Sequence, residues 1–427
     1  MKNNSGLVVF VLAFLALCLF YPIPFIADDW EYLYFYHRGE GPNYTLFWLY
    51  RRPMFHVLLN IFMPIFAEGH LFLGKFILWS FLMGAVYLLL SVFIPDYPRK
   101  FRGNLFYGVL PLIAAFQVNN YEWSFWAMNM TMFPMLTLLA YCFKKGTEHP
   151  HNRWWQLARV ITYILCFYSF EPILPLALML ELSWGLYYSP KKIWPALKNM
   201  MMIFIPVFII IFVSKFLLEH FHPYPYSSKF GFKWHLFKDV WTLTFLHGYF
   251  KTRFLTGAIS LAGILLLAYY RFKMARRDFL QKDLLILVAY VLAGAYYYMV
   301  MDYNASRALA GHLYYFWGLT VVALTYAYLH RQRMKKVVMG SIILTTLGFF
   351  AHQSYVCYFK IREKKQMEIN AAKVLAEVKQ ADKFPIRIQQ FPGAGLPRGF
   401  NFIGKKQVQG FYLHHIPPKD WPKVIWE

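Results

Sequence analysis

Apolar runs of membrane-crossing length recur along nearly the whole chain, separated by short connectors rich in Lys and Arg. This alternation constrains the fold more than any other feature. A helix needs roughly 20 apolar residues to cross a hydrocarbon core, and a backbone in lipid must satisfy its own hydrogen bonds. Spans are expected at 7–26, 70–95, 104–118, 128–143, 155–169, 172–188, 195–218, 254–270, 284–302, 311–329 and 337–358, giving an all-α polytopic membrane protein of about 11 transmembrane helices. The composition agrees: 59% hydrophobic, 15% charged and a mean hydropathy of +0.37 depart from the balance of soluble domains. Aromatic residues reach 21%, beyond what interfacial belts require, so many serve helix contacts or a cavity.

The net charge of +23 excludes little until its placement is considered. The basic residues fall in the connectors "PRKFRGN", "SPKKIWPALK", "RFKMARR" and "HRQRMKK", the positive-inside pattern, and no compact basic domain suits nucleic acid. With the N-terminus inside, the inner connectors 96–103, 144–159, 189–198, 271–282 and 330–336 hold 19 Lys and Arg. The outer ones, 27–69, 117–129, 168–172, 219–253 and 303–311, are together longer and hold 9. This orientation puts the C-terminus outside a cytoplasmic membrane. The N-terminal apolar run carries no convincing small-residue cleavage site and reads as an uncleaved first helix. Cys18, Cys142, Cys166 and Cys357 lie in apolar runs without ligand spacing and read as packing thiols.

Residues 1–358 therefore form one transmembrane domain, with outer loops at 27–69 and 219–253. Within the first loop, 52–69 is nearly long enough to span. It is read as a re-entrant or interfacial helix, begun at Pro53 and interrupted by Pro64, because a further span would put the acid-rich loop and "PRKFR" on one side. Residues 359–427 form a small outer-face α+β domain, in which "KIREKKQMEINAAKVLAEVKQ" has one-sided helix spacing. After it, "FPIRIQQFPG", "GFNFIG" and "QVQGFYLHHI" read as short strands.

Threaded this way, the polar residues outside the inner connectors fall at one depth. Asp28, Asp29 and Glu31 follow the first helix, and Arg51 and Arg52 precede the re-entrant segment. Glu122, Glu171 and the set Asp302, Asn304 and Arg307 occupy three later outer turns. Burying such groups costs free energy unless they are paired or meet a polar ligand. The pattern is that of a polar cavity at the outer membrane face. A carboxylate beside a hydroxyl can act as general base or hold a metal, and Arg suits phosphate. A lipid-linked phosphosugar would use both.

These features resemble the GT-C superfamily of integral-membrane glycosyltransferases, which take sugars from polyprenyl-phosphate or diphosphate carriers. The resemblance covers roughly residues 7–358 and rests on Asp28-Asp29 in "IADDWEYLY", the family's acidic pair after helix one. It rests also on "RRPMFHVLLN", on "NNYEWSFWAMNMTMFPM", on "SFEPILPLALML" with Phe170 where the family has Lys, and on "SRALAGHLYYFW". It implies that Asp28 activates or orients the acceptor with Asp29 in support. Arg307, Arg51, Arg52 and Lys75 would meet the carrier phosphate, and Glu31, Glu122, Trp126, Glu171 and Tyr303 would line the sugar and acceptor pocket. Metal use varies in the family; no cofactor is required by the resemblance, and where magnesium or manganese serves, Asp28 and Asp29 would hold it. The implied partners are a polyprenyl-phosphate-linked sugar, a glycan, lipid or protein acceptor and membrane lipids, and the transfer would invert the anomeric carbon.

Structural roles compete with several of these. An Asp at this place also caps a helix beginning at Trp30, Glu31 can face solvent or pair with Arg38, and Arg51 and Arg52 can anchor to headgroups. Glu122 can accept from the indoles of Trp123 or Trp126, Glu171 suits a helix start, and Lys75 and Lys215 can snorkel. Glu181 lies deeper, on the inner half, where pairing or protonation is expected. A lipid-linked glycan polymerase or ligase would share most features but would carry a long outer loop with several Arg. A lipid-linked sugar flippase would place ionisable residues near mid-membrane.

Overall fold

The computed structural model describes residues 4–20, 36, 53–67, 70–94, 96–118, 126–169, 173–188, 193–221, 369, 386–388 and 424–426, and the account below concerns those residues. Between residues 4 and 221 every regular element described is a helix. They are α1 (Ser5–Phe20), α2 (Pro53–Ala67), α3 (Leu71–Phe93), α4 (Tyr97–Gly103), α5 (Leu105–Val118), α6 (Trp126–Glu148), α7 (Arg153–Ser169), α8 (Ile173–Tyr188) and α9 (Ile193–Phe221). Each of the first seven expected spans coincides with one of these helices.

Two segments, Phe72–Phe93 and Leu197–Ser214, are long and apolar enough to cross a membrane, and Ser5–Leu19 and Pro53–Phe66 are apolar but shorter. At 1.5 Å per residue, α3 is about 35 Å long, against a hydrocarbon core of about 30 Å. Lys75 is its one charged residue. In α9, Phe204, Val207 and Ile211 make a buried stripe at helical spacing. Between residues 200 and 213 the rest is also apolar, with Met202, Ile205, Ile209 and Phe212 exposed. A helix apolar all round suits lipid or burial on every side, and not water.

Pro64, Pro111, Pro134 and Pro206 lie inside α2, α5, α6 and α9 without ending them. This corrects the expectation that Pro64 interrupts its segment. Only three residues follow it in α2, so the helix passes over the missing donor close to its own end, where carbonyls lack helical partners anyway. A buried stripe of Phe55, His56, Leu59, Phe62, Met63 and Phe66 runs the length of α2. Phe62 meets Phe81 edge-on at 5.9 Å, the ring of Phe66 covers Gly74, and α2 thus lies antiparallel to α3.

The connector 96–103 is not a plain loop. Asp96 takes a left-handed conformation (φ 56°), a region that Asp tolerates better than most residues, and its carbonyl accepts from the backbone N–H groups of Arg99 and Lys100 to open α4. Helix α6 runs on to Glu148, beyond the expected end at 143, which places Lys144 and Lys145 on its last turns.

Ring and hydrogen-bond contacts set the helix directions. Trp79 lies by Phe133, the Thr137 hydroxyl donates to the Phe81 carbonyl, and Phe93 stacks near Phe143, so α3 and α6 run parallel. Ser169 donates to the Thr131 carbonyl and Thr162 to the Cys142 sulfur, so α7 returns antiparallel to α6. Tyr163 stacks on Phe204 and Tyr168 bonds Ser214, making α9 parallel to α7. Phe14 meets Phe76 at 5.5 Å while Ser5 donates to the Gly103 carbonyl, so α1 is antiparallel to α3. One apolar core joins α1, α2, α3, α5 (through Leu112), α6, α7, α8 and α9, and a smaller one gathers Tyr97, Phe101, Tyr107 and Leu110 at the α4–α5 corner.

In the tail, β1 (Ile386–Ile388) pairs in parallel with β2 (Val424–Trp426), in the register Ile386↔Val424 and Ile388↔Trp426. The first strand falls in "FPIRIQQFPG" as expected; the second, in "PKVIWE", was not anticipated. Ile369 is helical, within the segment of one-sided spacing.

Candidate functional site

The directions above gather several helix ends at one end of the bundle. The ends of α1, α2, α7 and α9 lie there with the starts of α3, α6 and α8, while the start of α2, which Arg51 and Arg52 precede in sequence, points toward the other end. Asp28, Asp29, Glu31, Arg51, Arg52, Glu122, Glu171, Tyr303 and Arg307 themselves lie outside the described residues. Their neighbours in sequence are informative: the acidic pair follows the end of α1, Glu122 precedes Trp126 at the start of α6, and Glu171 falls between Ser169 and Ile173. Tyr36, within "DDWEYLYFYHR", is helical and exposed.

Lys75 is described. It sits on the second turn of α3 at this end, partly buried, where its charge is felt by the Cys18 thiol of α1. Cys18, Cys142 and Cys166 are buried and unlinked, the packing role expected of them. Among the described residues no group of three His, Cys, Asp or Glu side chains could hold a metal ion.

The opposite end is basic. Arg99 and Arg102 on α4, Lys144 and Lys145 at the close of α6, and Arg153 at the start of α7 all lie there. Lys145 is tied to Glu148 at 3.0 Å, and this hydrogen bond, with the charge of Glu148, raises its pKa above the ordinary lysine value. Trp154, beside Arg153, is 78% exposed.

Between the two ends lies the most polar buried cluster among the described residues. Arg159 of α7 and Glu181 of α8 are each about 5% exposed, and Arg159 Nη2 donates to Glu181 Oε1. The Tyr163 hydroxyl donates to the same oxygen. Arg159 Nη1 donates to Gln156 Oε1 at 2.9 Å, and the Gln156 amide donates in turn to the Gly146 carbonyl at 3.1 Å. The guanidinium lies over the Phe143 ring, 5.5 Å from its centre. Gly146 is required by this arrangement, since a Cβ there would come within 2.0 Å of Arg159 Cδ. Arg159 Nε has no hydrogen-bond partner among the described residues.

Of the pairing or protonation expected of Glu181, the structure shows pairing, with a residue that the sequence reading assigns to a connector. Arg159 was counted with the inner connector 144–159, whereas it lies six residues inside α7 and is buried. The signal was present in the spacing. Arg159 and Tyr163 are i and i+4 on one helix face. Arg159 lies ten residues before the end of α7 and Glu181 eight after the start of α8, with three residues between the helices, so an antiparallel hairpin brings them level. Removing one partner from a buried pair of this kind costs roughly 3–5 kcal/mol.

Compared with protein-family models, curated proteins and solved structures, the chain gives no match.

Proposed function

We propose that this chain is a multi-pass glycosyltransferase of GT-C type in a cytoplasmic membrane, moving a sugar on the outer face from a polyprenyl-phosphate carrier to a hydroxyl of a glycan, lipid or protein. The observation that carries this reading is the sharing of one bundle end by the helix ends flanking Asp28-Asp29, Glu122 and Glu171, with the basic residues of α4, α6 and α7 at the other. By the positive-inside rule the basic end is cytoplasmic, which leaves the end of α1 and the starts of α6 and α8, the helix ends nearest those acids in sequence, on the outer side.

In the proposed reaction Asp28, oriented by Asp29, accepts the proton of the acceptor hydroxyl as that oxygen attacks the anomeric carbon. The bond from that carbon to the carrier phosphate oxygen breaks with inversion. The released phosphate needs no strong acid, and its charge is met by Arg307 with Lys75. Arg51 and Arg52 immediately precede the start of α2, which antiparallel packing on α3 directs toward the basic end, so they are the weaker candidates for this role. Glu31, Glu122, Trp126, Glu171 and Tyr303 would line the pocket. If turnover requires magnesium or manganese, the Asp28-Asp29 pair is the proposed ligand.

A lipid-linked sugar transporter is the second reading, favoured by the buried Arg159–Glu181–Tyr163 cluster, which places ionisable groups within the bundle. One experiment separates the two. Purified protein is given a panel of polyprenyl-phosphate sugars with a membrane extract as acceptor source, and carrier consumption is followed for wild type, Asp28→Asn and Asp29→Asn. Consumption of one donor that the folded variants lose supports the transferase. Donor binding without turnover, unchanged by either substitution, overturns it in favour of the transporter.

A further inference from the structure

We propose that Arg159, Glu181 and Tyr163 form a lock that makes α7 and α8 cross the membrane as one hairpin, in one register, because neither helix is suited to cross alone. This rests on the reading of the chain as membrane-spanning, and it is independent of the transferase chemistry.

The argument begins with composition. Glu181 is the one charged residue of α8, and Arg159 the one charged residue of α7 beyond its first position. An unpaired Arg or Asp-like acid near the middle of a crossing helix is among the least favourable residues for insertion. Here one residue of each sign is placed at the same level of two helices joined by three residues, so the two charges can cancel only if the helices travel together.

Four neighbours serve the pair, although Arg159 Nε has no hydrogen-bond partner among the described residues. Tyr163 and Gln156 occupy donor and acceptor sites that would otherwise be stranded, Phe143 faces the guanidinium, and Gly146 leaves it room. Buried ion pairs seldom outdo apolar residues of like volume in stability, and setting register is their best attested use. A slide of α8 by one helical turn, about 5.4 Å, would separate both donors from Glu181 Oε1.

The test uses the full chain in intact cells. Phe170→Cys, in the three-residue link, is probed with a membrane-impermeant maleimide added from outside, and labelling of the unsubstituted chain is subtracted. Labelling is expected in the reference. Adding Glu181→Leu, which strands Arg159, is expected to cut labelling per chain at least tenfold, and Arg159→Leu to cut it as well. The double substitution Arg159→Leu with Glu181→Leu is expected to restore it. Single variants that label like the reference overturn the lock, as does a double variant as impaired as the singles. Absence of labelling in the reference overturns the membrane orientation along with it, an outcome distinct from failure of the lock alone.

Discussion

Gly6 and Gly108 face one another where α1 crosses α5, so closely that a Cβ on Gly108 would lie 2.2 Å from the Gly6 carbonyl oxygen. On the other side of the contact, a Cβ on Gly6 would meet the Phe101 carbonyl oxygen at 2.2 Å. The obstructing atoms are backbone and cannot swing aside. Small residues that let helix backbones approach are the usual means of association in lipid, where apolar side chains gain little by leaving the solvent.

Gly108→Ala should therefore push α1 from α5 and destabilise the protein by roughly 1–3 kcal/mol, as overpacking does. Gly84→Ala is the control, since a Cβ there meets only Thr137 Cγ2 at an ordinary 3.8 Å. Thermal unfolding in detergent should separate the two clearly. Equal melting temperatures would show that the crossing is not close-packed.

Gly146→Ala acts on the polar cluster without touching either charge. The new methyl would displace Arg159 Cδ and carry the guanidinium off Glu181, at a cost of roughly 3–5 kcal/mol if the pair breaks. Urea or thermal denaturation measures it. A change below about 1 kcal/mol would mean that the arginine re-pairs around the methyl.

Tyr97 offers a test at the α4–α5 corner, outside the proposed spans. It is fully buried, its hydroxyl donates to the Tyr107 carbonyl at 3.0 Å, and Tyr87 and Phe101 pack against it. Tyr97→Phe should cost about 0.5–1.5 kcal/mol at neutral pH.

The same residue links stability to pH. Burial, followed by the neighbouring phenols of Tyr87 and Tyr107, holds the Tyr97 hydroxyl well above the usual tyrosine pKa. With the folded value raised, its contribution is fully present below the unfolded pKa of about 10 and is lost as pH rises above it. Wild type should lose more stability between neutral and strongly alkaline pH than Tyr97→Phe does. Parallel pH profiles of melting temperature would contradict this.

On the proposed chemistry, Arg307→Ala removes a permanent charge from the carrier phosphate. Charged hydrogen bonds of this kind contribute about 1.5–3 kcal/mol, so the donor KM should rise roughly 10- to 100-fold, with Arg307→Lys in between. Initial rates across donor concentration decide it. An unchanged KM would remove Arg307 from the phosphate site.

How much of this was legible beforehand follows from the range of each effect. That α1, α3, α5, α6, α7, α8 and α9 exist, and nearly where they lie, follows from hydropathy summed along a segment, a local property that any neighbour arrangement must respect. The strand at Ile386–Ile388 was legible from the short run bounded by Gly and Pro that holds it. So was the need of Glu181 for pairing or protonation, because burying a lone carboxylate is costly wherever it sits. The candidate acids after α1 and beside α6 and α8 were picked out by residue type and order alone.

What the tertiary structure decided is pairing. That α2 runs antiparallel to α3 with Pro64 inside it, that Gly6 meets Gly108, and that Arg159 belongs to the interior depend on shapes meeting across more than one helix. An arginine near the start of a helix reads in sequence as an anchor at the membrane surface. Only the glycine opposite, the phenol one turn along and the carboxylate on the next helix make its burial tolerable, and those partners are assembled by packing.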